Sequence, residues 1–153
     1  MRKPVSIGDV IEIVTDRGLA YAQYSLRKEK WGALLRILPG FYQTRPERFS
    51  GIVNQKERFV TFFPLQAAIS KDIFKVVANE KLPEHATAFP LFRVRGFIDK
   101  SGKVHDWWLW DGDRSWQVGT LTNEQCQLPI RSIWNDTLLI QRVAEEWTPE
   151  REG

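Results

Sequence analysis

The chain has 153 residues, of which 22 are Lys or Arg and 19 are Asp or Glu, leaving a formal net charge of +3; this length carries one core-bearing domain without covalent staples. A composition of 42% hydrophobic and 27% charged residues excludes a disordered or low-complexity polymer, the mild basicity excludes a polycation, and the single cysteine excludes an intrachain disulfide. No apolar run reaches the length of a secretory segment or a membrane span, so the sequence reads as a soluble protein of a reducing compartment, the cytoplasm.

The opening "IGDVIEIVTDRGLAYAQYSL" alternates β-branched and polar residues, meets Thr15-Asp16-Arg17-Gly18, and resumes as an aromatic run, which is the pattern of a hairpin closed by a glycine-bearing loop. "SLRKEKWG" is a charged turn, and Trp31 to Leu38 is a third strand ended by Pro39-Gly40. Within "QTRPERFSGIVNQ" a short helix is predicted from Pro46, where the missing N–H costs nothing in a first turn. Glu57 to Phe63 alternates as a strand, "PLQAAISKD" favours about two turns of helix after Pro64, and Ile73 to Ala78 returns to strand character.

After a loop carrying Pro83, Phe89 to Ile98 and Val104 to Trp110 flank the turn Asp99-Lys100-Ser101-Gly102 and form a second hairpin. Ser115 to Leu121 runs back from a turn begun by Asp111-Gly112. Thr122-Asn123-Glu124-Gln125 has capping-box spacing, with a short helix expected before Pro129. "TLLIQRVAEEW" fits either a helix with Leu139, Ile140, Val143 and Trp147 on one stripe or a buried strand; strand is the reading taken for 137–147. The sum is an α+β fold: a mostly antiparallel, curled or barrel-like sheet of seven or eight strands with two or three short helices. It is expected as a single domain over 1–153, with a flexible tail from 148 to 153.

Four of the seven tryptophans fall within "HDWWLWDGDRSWQVGTL". Alternation places Trp107 and Leu109 on one face of the strand and Trp108 and Trp110 on the other. A loop of Asp111-Gly112-Asp113 sets Trp108 opposite Trp116, whereas a loop of Asp111-Gly112 sets Trp107 opposite Trp116. The Trp107 and Leu109 face is expected in the core. Trp108 and Trp110 read equally as core or as anchors of a binding surface, since exposed tryptophan beside arginine is typical of interface hot spots. The candidate partner-binding residues are therefore Trp108, Trp110, Asp111, Asp113 and Arg114, with Arg45 and Arg48 from the proline-flanked loop.

Catalytic signals are weak. His85 and His105 stand apart and outside any metal-ligand spacing, Cys126 has no histidine nearby in sequence, and the glycines form no phosphate-cradling loop. Asp106, Asp111 and Asp113 lack the rest of a calcium-binding ladder. No cofactor and no metal are expected, and the chain reads as a non-enzyme.

The opening residues Gly8-Asp9-Val10, the strand Ile11 to Val14, the turn Asp16 to Gly18 and the aromatic strand Tyr21 to Tyr24 together resemble the start of the immunity protein 26 family of bacterial polymorphic toxin systems. The resemblance covers about the first fifth of the chain. It implies a cytoplasmic α+β protein that binds and blocks a cognate protein toxin without catalysis. The alternative is a nucleic-acid-binding barrel in which Trp108 and Trp110 stack on bases while Arg93, Arg95, Lys100 and Lys103 take phosphates. A sugar-binding face is a third reading, and the oligomeric state is left open.

Overall fold

The computed structural model describes residues 4–152. It is an α+β fold with two antiparallel sheets, of five and three strands, and neither closes into a barrel. The sequence reads as one domain; the fold gathers into two compact units, one running to Ala88 and taking up Ile133–Trp147, the other formed by Phe89–Ser132 and the residues from Thr148 onward.

The first unit is built on β1 (Asp9–Thr15), β2 (Gly18–Lys28), β3 (Gly32–Ile37), β4 (Phe59–Phe63) and β5 (Lys75–Asn79), in the order β4-β3-β2-β1-β5. Period-2 alternation decides which side chains meet. Ile11, Ile13, Ala20, Ala22, Leu35 and Ile37 face one way, while Val10, Tyr21 and Leu38 face the other. The first face is covered by α2 (Leu65–Ser70) and α3 (Asp136–Ala144) with Trp134 and Trp147. The second is covered by α1 (Ser50–Val53), through Phe49, Ile52 and Val53. Helix α2 lies between β4 and β5, which occupy opposite edges of the sheet.

Two expectations are corrected here. No helix starts at Pro46. Tyr42 is held by a pair of backbone hydrogen bonds with Leu19, each 2.8 Å long, and helix begins only at Ser50, once Phe49 has entered the core. Residues 137–147 are not a strand: the Leu138 N–H donates to Oδ1 of Asn135 at 2.8 Å, an N-cap that opens α3. A spacing of four then carries Leu139 and Val143 to one buried stripe, and Trp147, past the helix end, is buried with them. Trp147 and Trp134 pack edge-on at 5.1 Å, both touch Phe59, and the Arg142 guanidinium lies 4.5 Å from each indole ring.

The second unit contains β6 (Phe92–Arg95), β7 (Trp107–Trp110) and β8 (Ser115–Gly119), with β7 in the centre. The capping box forms as its spacing predicts: the Thr122 N–H donates to Oε1 of Gln125 at 2.9 Å, and the Gln125 N–H donates to Oγ1 of Thr122 at 3.2 Å. Residues from Thr148, which the sequence reads as a tail, make a single 3₁₀ turn at Pro149–Arg151 with Pro149 buried. Its Pro149 carbonyl accepts from Nη2 of Arg93, and Glu152 pairs with Arg95 at 3.0 Å.

Candidate functional site

The site is built on β7, whose side chains divide unevenly between core and solvent. Trp107, Leu109 and Trp110 are 6%, 4% and 7% exposed, whereas Trp108 between them is 36% exposed. Trp110 is thus corrected from anchor to core. Its ring lies 5.3 Å from Phe89 and 5.5 Å from Phe92, and the Arg131 guanidinium sits 4.9 Å over it. Trp107 lies under the Arg93 guanidinium at 5.0 Å. Trp108 pairs with Val94 on one side and Gln117 on the other, and its indole is the one on this strand left open to solvent.

Both sequence-based registers are replaced by a third. Trp110 faces Ser115, Leu109 faces Trp116 and Trp108 faces Gln117, with a bulge before Trp107 reaches Gly119. The cause is the Asp111 side chain, whose Oδ1 accepts from the N–H of Asp113 at 2.9 Å and of Arg114 at 2.8 Å. The Asp111 N–H also donates to the Arg114 carbonyl at 3.1 Å, leaving Gly112 and Asp113 as a two-residue loop. Gly112 has φ +102, and a Cβ there would lie 2.9 Å from the Phe89 ring, so both backbone and neighbour require glycine. These N–H donors hold the Asp111 carboxyl below its usual range, the Arg114 amide foremost. Asp111 is a turn former first, and Asp113 and Arg114 stand exposed at the hairpin tip.

The neighbouring hairpin ends in a second acid-centred loop. Oδ1 of Asp99 accepts from the N–H and Oγ of Ser101 and from the Lys103 N–H, while Oδ2 meets Nε2 of His105 at 2.6 Å. Ser101, then His105, pulls the Asp99 carboxyl far below its ordinary value. Phe97 packs its ring 5.9 Å from His105 yet stays largely in solvent, as does Ile98. Phe97 and Trp116 are exposed aromatics outside the set of candidate binding residues. The available signal for Phe97 was "GFID", two adjacent apolar residues that a projecting ribbon must place on opposite faces.

The cations proposed for phosphate divide as sharply. Arg93 is fully buried, donating from Nε to the Leu128 carbonyl at 3.0 Å and from Nη2 to Pro149; burial lowers its pKa from the ordinary value. Arg95 is tied to Glu152. Lys100 and Lys103 are exposed. Cys126 is half-buried and lines a small open pocket of about 340 Å³ with Trp107, Gly119 and Leu121.

Arg45 and Arg48 belong to the first unit, whereas the tryptophan hairpins belong to the second. Arg45 grips the buried Glu12 with both ends of its fork, Nε to Oε2 at 2.7 Å and Nη2 to Oε1 at 3.0 Å, and the Tyr21 hydroxyl donates to Oε2 at 2.9 Å. The Arg45 contact lowers the Glu12 pKa, while burial, then Glu12, raises that of Tyr21. Arg48 is exposed. A further network escaped the sequence: Arg36, fully buried, donates to Gln23, Glu57 and the carbonyls of Val53 and Gln55, with Nε2 of His85 at 3.3 Å from its Nη2. Glu57 and His85 lie 3.7 Å apart at its outer rim.

The fold and these surfaces define a class: a two-sheet α+β protein whose second unit projects aromatic side chains on hairpins. Among the described residues no three His, Cys, Asp or Glu side chains gather as a metal-ligand set, and no helix is long and apolar enough to cross a membrane. No protein-family model, curated protein or solved structure matches the chain.

Proposed function

We propose that the chain is a non-catalytic protein-binding inhibitor of the immunity type, which works in the cytoplasm and neutralises a cognate bacterial toxin by docking through the second unit. The observation that carries this reading is Trp108: on a strand whose other three residues are consumed by the core, this indole keeps about a third of its surface exposed. Trp116 and Phe97 add exposed aromatic area on the same pair of hairpins, and Asp113 and Arg114 supply charged groups at the tip. This mixture of aromatic, acidic and arginine side chains suits a protein interface.

Phosphate recognition draws less support, because of the four cations assigned to it Arg93 is enclosed and Arg95 pairs with Glu152, leaving Lys100 and Lys103, while a phosphate backbone normally demands several cations. The test is bacterial co-expression with the product of the adjacent gene in the native genome. Growth arrested by that product should be restored by the parent chain and not by Trp108→Ala, at a temperature where circular dichroism shows the variant to be folded. Equal rescue by Trp108→Ala, or no rescue by the parent of any neighbouring product, refutes the reading.

A further inference from the structure

We infer that His85 is a proton-operated latch: neutral, it holds the 3₁₀ turn Glu84–Ala86 to the buried Arg36, and protonated, it lets that turn go. A guanidinium carries five N–H donors and no acceptor, so an enclosed arginine needs an oxygen or a ring nitrogen at each. Arg36 is 0% exposed, and four of its acceptors are oxygens: Glu57 Oε1 at Nε, Gln23 Oε1 and the Val53 carbonyl at Nη1, and the Gln55 carbonyl at Nη2. The fifth is Nε2 of His85, 3.3 Å from Nη2. Because arginine only donates, that ring nitrogen has to accept, which makes His85 neutral and puts its proton on Nδ1.

The rest of the network has no acceptor to spare. Gln23 is itself fully buried and spends its amide nitrogen on the carbonyls of Gly8 at 3.3 Å and Glu80 at 2.9 Å, which commits its oxygen to Arg36. The four oxygens come from β2, the end of α1 and the segment between α1 and β4, whereas the ring nitrogen comes from the turn. Inside the turn the Ala86 N–H donates to the Pro83 carbonyl at 2.9 Å, and the Thr87 hydroxyl donates to the Glu84 carbonyl at 2.7 Å. These bonds stiffen the turn without tying it to the sheet; His85 supplies that tie.

Protonation reverses the contact. A proton on Nε2 sets donor against donor and cation against cation at the edge of the buried network. The groups that face His85 are Arg36 from β3, which opposes the new charge, and Glu57 ahead of β4, whose Oε2 lies 3.7 Å away and attracts it; Glu84 is the acidic neighbour on the turn itself. The other oxygen of Glu57 already serves Nε of Arg36 at 3.1 Å. The imidazolium therefore exchanges Arg36 for Glu57 at the outer rim, where the His85 side chain is already 41% exposed. A buried anchor becomes a solvated ion pair, which holds a loop weakly. Pro83 and Glu84 line an open groove of about 350 Å³ with Ser50 and Asn54, so loosening the turn widens this groove in mild acid.

The test is nitrogen NMR of the full-length chain from about pH 8 to about pH 5, the range in which an imidazole titrates, with amide exchange at residues 84–87 corrected for its intrinsic pH dependence. At the upper end His85 should be the Nδ1–H tautomer. Across the titration the Arg36 side-chain resonances should move with the His85 midpoint, and residues 84–87 should exchange about tenfold faster at the acid end, as the loss of one hydrogen bond to a charged group requires. His85→Gln, whose amide oxygen accepts without titrating, should flatten both responses. An Nε2–H tautomer at the upper end, Arg36 resonances that ignore the His85 midpoint, or unchanged exchange at 84–87 overturns the inference. So does a His85→Gln chain whose turn still loosens in acid. Each of these outcomes leaves the hairpin reading standing, because the network belongs to the first unit and the hairpins to the second.

Discussion

Replacing Trp110 by alanine separates core from surface on the strand where the two are interleaved. The side chain is 7% exposed and lies against Phe89, Phe92 and the Arg131 guanidinium. An aromatic of this size buries about 150 to 250 Å², which at about 25 cal/mol per Å² is a transfer loss of roughly 4 to 6 kcal/mol. Buried aromatic-to-alanine changes in general cost about 3 to 5 kcal/mol, because the cavity partly collapses. Trp110→Ala should therefore destabilise the second unit by about 3 to 5 kcal/mol, a large share of the roughly 5 to 15 kcal/mol that holds a typical domain. Trp108→Ala, at a position open to water, leaves no sealed cavity and should cost about 1 to 2 kcal/mol. Urea unfolding followed by circular dichroism gives the difference, and hydrogen exchange over Phe89–Ser132 assigns it to the correct unit, since the two units need not unfold together. A loss below about 1 kcal/mol for Trp110→Ala would refute the assignment of this ring to the core.

The Glu12 cluster predicts an acid limb of stability. Its pKa in the folded state is lowered, chiefly by Arg45, so its contribution is complete above the ordinary value of 4.5 and is lost as pH falls below that towards the folded value. Melting temperature should drop across this window for the parent, and Glu12→Gln should flatten that drop while lowering stability at neutral pH; an unchanged slope counts against the cluster. Asn135→Ala removes the side-chain acceptor for the Leu138 N–H and should cost about 1 kcal/mol, read as a shifted urea midpoint with unchanged slope. A neutral result there would mean that packing of Leu139, Val143 and Trp147 alone holds α3.

Local rules reached most of the fold because most of its elements are decided locally. The alternation of "DVIEIV" against "AYAQY" is the same alternation that sends Ile11 and Ala22 to one cluster and Val10 and Tyr21 to the other. The Thr122 and Gln125 box closes on itself within four residues. The misses share a different cause. In "NDTLLIQRV" the apolar run suits either period, and the choice rests on one side-chain oxygen of Asn135. In the tryptophan hairpin, two candidate registers were set by counting loop residues, while the Asp111 carboxylate selects a third by accepting two amides.

Buried arginine was the least legible feature, and it alters the functional argument most. Arg93 and Arg36 look like surface cations in sequence, and what encloses them comes from far along the chain: the carbonyls of Leu128 and Pro149 for one, of Val53 and Gln55 for the other. No local pattern encodes such partners, because a guanidinium can be buried wherever several acceptors converge on its fork. Once these cations are removed from the accessible surface, the proposed recognition rests on the hairpin tips. These would read a partner through side chains, so single substitutions there should change affinity. The enclosed forks act through what they demand of their surroundings: Arg36 needs an acceptor at each donor, and the one that His85 supplies is lost to a proton. A scan of side chains for partner binding would then find the first feature and pass over the second, which a pH series would reveal.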